Sequence, residues 1–435
     1  MFLKQKKINE GISLTAIKTD KFKSSVISFS LTFPMSKEAV AYNILLSQML
    51  TRGTKSAPAL ALLNRRLDEL YGSYVEIKSH NIGENVSLSI IAETLENKYV
   101  PDGTDIFSEV LKIVSELILS PAFILDNFNR DFFEQEKKAC IDNLNAEINN
   151  TRVYAAKRCV EIMNEDIAKP TSEELKELTK NATFEKLVEH YRTIILNTPI
   201  NVFYIGCEDE ESVALSLQSA FKNHFPSARH TLITPRPINK KDLRDIRIQM
   251  PVSQGKLALG FCTDTVISAT DDSYYAMLML NEIFGGSASS KLFLNVREKM
   301  SLCYYCSSSY SHYSGVMLVS SGFEMKNYEI AKKTILDQLE DIKNGIISDT
   351  EFFSAQKSII NSYRQLLDSP FDMQAFFGDR ALFNVSDDLD TAQQKLLSVT
   401  KQDVIEIASR IKLCASFFIE GKEDIDEEEE EDEND

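Results

Sequence analysis

The chain has 435 residues, of which 43% are hydrophobic and 26% charged, so its length and composition are those of a globular protein with two or three domains. Its formal net charge is −17, but the segment 422–435 alone holds eleven acidic residues and one lysine. The rest of the chain is therefore only mildly acidic. Because nucleic-acid binding needs clustered Lys and Arg to neutralise phosphates, this balance excludes nucleic acid as a partner.

The sequence also predicts where the protein is found. Its first ten residues lack the apolar region of roughly 7–15 residues that a secretory signal requires, and no stretch approaches the about 18 apolar residues of a membrane span. Seven scattered cysteines, an odd number, favour reduced thiols over a disulfide framework. Cys303 and Cys306 have CxxC spacing, but without a second pair we interpret them as packing positions. We expect a cytoplasmic protein without a membrane span.

The first half of the chain alternates strand and helix patterns. Residues 26–33 alternate apolar and polar side chains like a half-buried strand, and 39–50 is a helical run that ends near Gly53. A second helix is predicted at 59–70, with its leucines on one face. Further along, the patterns predict strands at 74–79, 86–92 and 200–205, a helix at 104–119, and a very long helix at 127–163 that is irregular near 149–150.

The segment 226–244 is rich in proline, basic and without periodicity, which is typical of a linker. After it the pattern begins again with a strand at 257–262 and a helix at 273–284, and a Leu-Asn-x-Arg core places Arg297 at the position of Arg66. We predict an α+β protein of two homologous halves, 1–225 and 245–421, followed by a disordered acidic tail at 422–435. Each half is expected to form a mixed, largely antiparallel sheet with helices packed on one face.

A long motif in the second half resembles a known family. Residues 285–310 read GGSASSKLFLNVREKMSLCYYCSSSY, which is similar to the second-domain signature of the insulinase/pitrilysin peptidases. The chain is most similar to the short bacterial type that resembles mitochondrial processing peptidase. The resemblance extends from Ile12 to about Glu420, because members of this family also consist of two α/β halves and a linker. The acidic tail lies outside it.

Peptidases of this family bind zinc through an H-x-x-E-H helix motif and a glutamate far downstream. Two histidines four positions apart coordinate the metal from one face of the helix, and the glutamate between them is the general base. At the corresponding positions this chain has Ile44, Ser47 and Gln48. Downstream, Asn143 occupies the ligand position and Glu136 remains alone, which we interpret as a solvated helix residue rather than a polar functional group. The resemblance therefore implies no catalytic residue, no metal ligand and no cofactor on this chain.

Arg297 and Tyr304 match the arginine and tyrosine with which this family holds its substrate at the cleavage site. The chemistry is plausible in itself, because an arginine fork binds a peptide carbonyl or carboxylate and a tyrosine hydroxyl donates to a developing oxyanion. The alternative is structural, with Arg297 paired to a local acid and Tyr304 packed in the sheet. The resemblance favours these two residues as substrate-binding groups.

The resemblance implies the non-catalytic, substrate-binding subunit of a heterodimeric zinc metallopeptidase that processes small peptides. A homologous partner subunit with the H-x-x-E-H motif would carry the zinc, and Arg297 and Tyr304 would orient the peptide opposite it. The alternative is a purely structural or peptide-holding scaffold of the same fold. A third hypothesis is a hydrolase with an unrecognised site. No two of the five histidines are three or four positions apart, so the histidine spacing gives no sign of a metal site on one helix face.

Overall fold

The computed structural model describes residues 5–124, 127–164, 168–222, 224, 226–227, 230–234, 242–263, 266–385 and 387–421. The predicted acidic tail at 422–435 lies outside the described residues, as do 228–229 and 235–241 of the predicted linker. Within the described ranges, no helix combines the length and the apolar character needed to cross a membrane.

The strands follow the predicted segments closely, with 26–33, 74–79, 86–92, 200–205 and 257–262 all falling within observed strands. In chain order the strands are β1 (Gln5–Asn9), β2 (Ile12–Lys18), β3 (Ser24–Pro34), β4 (Tyr74–Ile82), β5 (Asn85–Leu95), β6 (Phe123–Ile124), β7 (Asn127–Phe128), β8 (Ile200–Gly206), β9 (Arg244–Met250), β10 (Gly255–Cys262), β11 (Tyr305–Ser311), β12 (Val316–Phe323) and β13 (Lys412–Gly421).

The predicted long helix at 127–163 begins only at Arg130, after β7, and a 3-10 turn at Glu147–Asn149 divides it into two helices near the predicted irregularity at 149–150. The side chain of Asn150 then caps the second helix by accepting from the Val153 N–H at 3.2 Å. In chain order the α-helices are α1 (Lys37–Leu50), α2 (Leu60–Glu69), α3 (Ile106–Leu119), α4 (Arg130–Ala146), α5 (Thr151–Met163), α6 (Ser172–Lys180), α7 (Phe184–Asn197), α8 (Glu210–Ala220), α9 (Tyr274–Asn281), α10 (Tyr328–Lys343), α11 (Asp349–Leu366), α12 (Pro370–Leu382), α13 (Leu389–Ser398) and α14 (Lys401–Ser409).

The chain forms two compact units, and each takes segments from both predicted halves. Unit 1 comprises Met1–Ala146, Asp166–Pro235 and Ile360–Lys395, whereas unit 2 comprises Glu147–Glu165, Arg236–Ile359 and Leu396–Asp435. Helix α5, from the first predicted half, thus belongs to unit 2, and α12, from the second, belongs to unit 1. The halves at 1–225 and 245–421 stay a prediction about where the duplication begins and ends.

Both units contain a sheet with the same strand order. Unit 1 has the order β4-β5-β3-β8-β2 with β1 added at the edge, and unit 2 has β11-β12-β10-β13-β9. In each series of five, the first three pairings are antiparallel and the last is parallel. The α+β class with two homologous, mixed and largely antiparallel sheets is confirmed.

In unit 1 the alternation of side chains along β8 separates two cores. Val202 and Tyr204 belong to the main core, which the sheet forms with α1, α3, α7 and α8. Phe203 and Ile205 point to the opposite face and pack against Met373 and Phe377 of α12. Helix α12, which comes from the second predicted half, therefore covers apolar side chains on the second face of the unit 1 sheet.

Unit 2 has the same arrangement around α5. This helix packs on β10 and β13, where its Cys159 and Met163 join Ala258 and Phe417 in one cluster. A Cβ at Gly260 would lie 2.2 Å from the Met163 Sδ atom, so a larger residue there would force the Met163 side chain to move. The apolar face of α5 is thereby buried against unit 2.

The expectation that all cysteines are reduced is wrong for one pair. Cys262 and Cys414 form a disulfide with their Cα atoms 6.2 Å apart, although 152 positions separate them in the sequence. They meet because β10 and β13 are neighbouring strands. The other cysteines form no disulfide; they are Cys140, Cys159, Cys207, Cys303 and Cys306.

Candidate functional site

The positions of the lost zinc motif lie on α1 of unit 1. Ile44 is partly buried against the main core and offers no ligand atom. The Ser47 hydroxyl is buried and donates to the Ile44 carbonyl at 2.7 Å, so it is engaged with its own helix. Gln48 is exposed. These side chains lack the two imidazoles and the carboxylate of the motif, and therefore do not fit a zinc ion.

The interpretation of Glu136 as a solvated residue is wrong. Its carboxylate is buried between α4 and the end of α1, where the Arg52 Nε donates to Glu136 Oε1 at 2.6 Å. The same guanidinium lies 4.9 Å from the centre of the Phe132 ring. Asn143, at the second ligand position, is exposed. Arg52 thus supplies the positive charge that a buried carboxylate needs.

The predicted substrate-binding residues lie in unit 2 on an unusual scaffold. Two helical segments with widened, π-type turns, Glu282–Gly286 and Leu292–Lys299, follow one another closely. Such turns are frequent at functional sites. A Cβ at Gly285 would lie 2.6 Å from the Ser308 backbone nitrogen, so glycine is needed where the first segment meets β11. At the start of the second segment, Lys291 Nζ is 2.8 Å from a Glu351 carboxylate oxygen in a buried ion pair.

Arg297 lies on the second segment with its side chain 41% exposed. Its Nε is 3.6 Å from Glu298 Oε1, and its guanidinium carbon lies 4.7 Å from the centre of the Phe293 ring. A pair between two exposed groups at this distance is weak and screened by water. Most of the five guanidinium donors are therefore available to a ligand.

Tyr304 follows a turn in which Ser301 adopts a left-handed backbone with φ of 49°. The Tyr304 N–H donates to the Gly322 carbonyl at 2.8 Å, which fixes the backbone beside the sheet. The side chain is nevertheless 52% exposed and is not packed in the sheet. The structure thus holds the main chain of Tyr304 in place and leaves its ring open to solvent.

Arg297 and Tyr304 line the same cavity, whose volume is about 360 Å³. The wall is polar, and its Glu324 pairs with Lys326 at 2.6 Å. The lining residues are Arg297, Glu298, Ser301, Leu302, Cys303, Tyr304, Glu324 and Asn327. An open arginine and an open tyrosine in one polar cavity are suited to bind a peptide carbonyl or carboxylate. Their role in substrate binding stays a prediction.

The sequence-based interpretation missed the chemistry of Cys303 and Cys306. Cys303 and Cys306 lie close enough to influence each other's ionisation, and the Ser321 hydroxyl influences both. The hydrogen bond from Cys306, the bond to Ser321 and the charge of Arg297 together lower the pKa of Cys303 despite its burial. The hydrogen bond to Cys303 raises the pKa of Cys306 well above the ordinary value. CxxC spacing was the sequence signal for this pair, and only the fold shows that Cys303 lines the cavity.

Elsewhere in the described part of the chain, one group of three side chains has metal-ligating atoms close together: Glu96, Cys207 and Glu208. Internal hydrogen bonds explain this group, because the Cys207 N–H and thiol donate to the two Glu96 carboxylate oxygens at 2.7 and 2.8 Å. Burial and the Glu96 carboxylate raise the pKa of Cys207 to about 11. The thiol therefore stays protonated at neutral pH.

Comparison with known proteins identifies the relatives of this chain. The family profile described as "Peptidase M16 inactive domain" matches residues 181–359. A Bacillus subtilis protein named "Probable inactive metalloprotease YmfF" is 31% identical over 418 residues, which are 95% of this chain and 96% of the relative. A second protein of that organism, "Uncharacterized zinc protease YmxG", is 30% identical over 118 residues, 27% of this chain and 28% of the relative.

Solved structures share the fold at lower sequence identity. A conserved protein from Enterococcus faecalis aligns with a TM-score of 0.87 at 24% identity, covering 98% of this chain and 100% of its own. A peptidase M16 inactive domain from Pseudomonas fluorescens aligns with a TM-score of 0.77 at 16% identity, covering 96% and 98%. These likenesses confirm the fold, and the near full-length match to the inactive metalloprotease confirms the resemblance to insulinase/pitrilysin peptidases. The chain belongs to the M16 peptidase family and is an inactive homologue within it.

Proposed function

We propose that this chain is the non-catalytic, substrate-binding subunit of a heterodimeric zinc metallopeptidase that processes small peptides. One contrast carries the proposal. The positions of the zinc motif on α1 have lost every ligand, and Arg52 neutralises the remaining Glu136. Arg297 and Tyr304, by contrast, are exposed in a shared polar cavity. Two groups that can hydrogen-bond a peptide carbonyl thus share one cavity in a chain whose zinc-motif positions hold no ligand.

Each of the two side chains has a distinct task in this proposal. The planar guanidinium of Arg297 donates two parallel hydrogen bonds to a peptide carbonyl or to a terminal carboxylate. The Tyr304 hydroxyl donates one hydrogen bond to the carbonyl oxygen as negative charge develops on it. This chain would thus bind and orient the peptide, whereas zinc bound by the partner would supply the activated water.

The partner is proposed to be a homologous chain that keeps the H-x-x-E-H motif. In Bacillus subtilis, a relative named as an inactive metalloprotease occurs alongside one named as a zinc protease, so both kinds of chain exist in one organism.

We also propose a cytoplasmic location. Cys159, Cys207, Cys303 and Cys306 form no disulfide, which supports this location because thiols persist in reducing compartments, although Cys262 and Cys414 are bonded.

The proposal is tested by reconstituting the pair. We expect co-expression with an H-x-x-E-H homologue to give a one-to-one complex with about one zinc ion, and cleavage of an internally quenched pool of random decapeptides only by the complex. Arg297→Ala and Tyr304→Phe should each lower kcat/KM by about 10²-fold, the effect of losing one donor to the transition state. The mass of the complex should not change. Lys299→Ala is the matched control, because Lys299 is an exposed cation on the same segment.

Two results would contradict the proposal. Full activity of both variants within an intact complex would remove the substrate-orienting role and favour the scaffold reading. Stoichiometric zinc on the isolated chain, or peptide cleavage by it, would show that the chain has its own catalytic site and that the alignment of Ile44, Ser47 and Gln48 with the zinc motif is wrong.

A further inference from the structure

The cavity that contains Arg297 and Tyr304 also has a thiol in its wall, with a second thiol behind it. Cys303 lines the cavity, whereas Cys306 is in β11 and only 4% exposed. We propose that Cys303 and Cys306 form an oxidation site, in which a hydroperoxide converts the two thiols into a disulfide and thereby weakens peptide binding in the cavity. The oxidation chemistry is independent of the proposed function, but the effect on peptide binding rests on it.

The two thiols differ in access and in reactivity. Cys303 is 9% exposed, and its exposed part faces the cavity, so a small oxidant reaches it first. Its pKa is lowered by the hydrogen bond from Cys306, with further contributions from the Ser321 hydroxyl and the charge of Arg297. The thiolate is the nucleophilic form of cysteine, so Cys303 is the group that attacks. Cys306, which is more deeply buried and whose pKa is raised, is the group that follows.

The reaction proceeds in two balanced steps. The Cys303 thiolate attacks one oxygen of the hydroperoxide, and the O–O bond breaks. The sulfur is oxidised to a sulfenic acid, and an alcohol, or water from hydrogen peroxide, leaves with a proton. The Cys306 sulfur then attacks the Cys303 sulfur, and the S–O bond breaks as the S–S bond forms. The released hydroxide takes the proton of Cys306 and leaves as water, so two thiols and one hydroperoxide give one disulfide, one alcohol and one water.

Disulfide formation would displace Tyr304, because this residue lies in the chain between the two cysteines. The two sulfur atoms are not bonded, so they must approach each other to reach the S–S bond length of about 2.05 Å. Cys306 is held in β11 opposite Ser321, and the ring of the adjacent Tyr305 is packed so closely on Gly322 that a Cβ there would lie 2.3 Å from it. The movement therefore falls on Cys303 and Tyr304, which changes the position of Tyr304 relative to Arg297.

Mass spectrometry of the full-length chain tests the oxidation site directly. Trypsin cuts after Lys299 and Lys326, which places Cys303 and Cys306 on one fragment without any other cysteine. After treatment with hydrogen peroxide, we expect this fragment to lose two hydrogen atoms and to regain them with dithiothreitol. If the fragment keeps two free thiols under conditions that oxidise a synthetic CxxC peptide, the oxidation site is wrong.

Two variants test the order of the steps. Cys303→Ser should leave the Cys306 thiol unoxidised, whereas Cys306→Ser should leave a sulfenic acid on Cys303 that dimedone traps. Trapping at Cys306 in the Cys303→Ser variant, at the rate of the wild-type reaction, would overturn this assignment.

Alkylation of the wild-type chain gives a test that needs no variant. Cys303 should react with iodoacetamide at least about 10-fold faster than Cys207, whose pKa is raised although it is more exposed.

Peptide binding separates the two parts of the inference. The anisotropy of a labelled pool of random decapeptides should report at least about 10-fold weaker binding by the oxidised chain, with recovery on reduction. The Cys306→Ser variant, which cannot form the disulfide, should bind within about twofold of its starting affinity after peroxide. Unchanged affinity of the oxidised wild-type chain would overturn the effect on binding. Absence of binding by the reduced chain would contradict the proposed function, and the tryptic fragment would still decide the oxidation site.

Discussion

The two copies of the Leu-Asn-x-Arg core place the same residue in opposite surroundings. Arg66, on α2 of unit 1, lies within 3.4 Å of carboxylate oxygens of both Glu109 and Glu116 and donates to Ser56 Oγ at 2.8 Å. Its counterpart Arg297 in unit 2 has, among the described acidic residues, the exposed Glu298 as its ion-pair neighbour at 3.6 Å. One arginine is therefore part of the internal structure of its unit, and the other faces a cavity.

The segments that carry these arginines are also anchored differently. In unit 2 a buried ion pair between Lys291 and Glu351 fixes the start of the segment. The residue of unit 1 that corresponds to Lys291 is Leu60, which is 45% exposed and cannot form such a pair. Unit 1 thus uses the motif arginine itself as the anchor, whereas unit 2 has a separate anchor and leaves Arg297 open. Duplication allowed one copy of the motif to become structural while the other stayed available to a ligand.

Removing the separate anchor should have the largest effect on stability. Lys291→Met leaves Glu351 without its cation in a site where the lysine side chain is 4% and the glutamate 16% exposed. Breaking a buried pair costs about 3–5 kcal/mol, and the Ser348 N–H and hydroxyl still donate to Glu351. We therefore expect the free energy of unfolding in urea at pH 7 to fall by about 3 kcal/mol. The matched change Leu60→Met should cost less than about 0.5 kcal/mol.

The same variant should change the dependence of stability on pH. Burial alone would raise the pKa of Glu351, but the hydrogen bonds from Lys291 and Ser348 outweigh it and hold the pKa below the ordinary value of 4.5. A lowered pKa in the folded state means that the pair stabilises the protein fully above about pH 4.5 and loses this effect as the pH falls further. The difference between wild type and Lys291→Met should therefore shrink below pH 4. An equal difference at pH 7 and pH 3 would contradict this account.

Removing the arginine anchor of unit 1 should have an intermediate effect. Arg66→Met separates two partly buried carboxylates from their shared cation, and we expect a loss of about 1 kcal/mol because these pairs are less buried than Lys291–Glu351. Arg65→Met is the control, since Arg65 is 77% exposed and pairs with Glu69 one turn away. It should cost about 0.3 kcal/mol or less. Equal losses would mean that Arg66 is not an anchor.

The sequence predicted the sheets well because their information is local. Alternation of apolar and polar side chains identified the strands, and the repeated Leu-Asn-x-Arg core identified the duplication. The strand orders β4-β5-β3-β8-β2 and β11-β12-β10-β13-β9 confirm both. The exchange of α5 and α12 was not predictable, because an amphipathic pattern shows that a helix has an apolar face and not which sheet covers it.

Features of the site that depend on distant residues were missed for the same reason. Glu136 looks solvated on a charged helix, and its partner Arg52 lies 84 positions earlier in the sequence. Arg297 and Tyr304 were found through a family motif rather than through a physical pattern. That they share one cavity with Cys303 follows from the turn between the second π-type segment and β11, which no spacing rule describes.

The smallest effect on stability is expected where the functional effect is largest. Arg297→Met removes an exposed side chain whose one ion-pair neighbour is 3.6 Å away, so the free energy of unfolding should change by less than about 0.5 kcal/mol. Binding of the random decapeptide pool should nevertheless weaken by at least about 10-fold, because the arginine fork is lost from the cavity. Arg66→Met should do the reverse, with reduced stability and unchanged peptide affinity of the folded chain. If both variants lose stability and neither loses affinity, the two arginines have the same structural role, and the cavity of unit 2 does not bind peptide through Arg297.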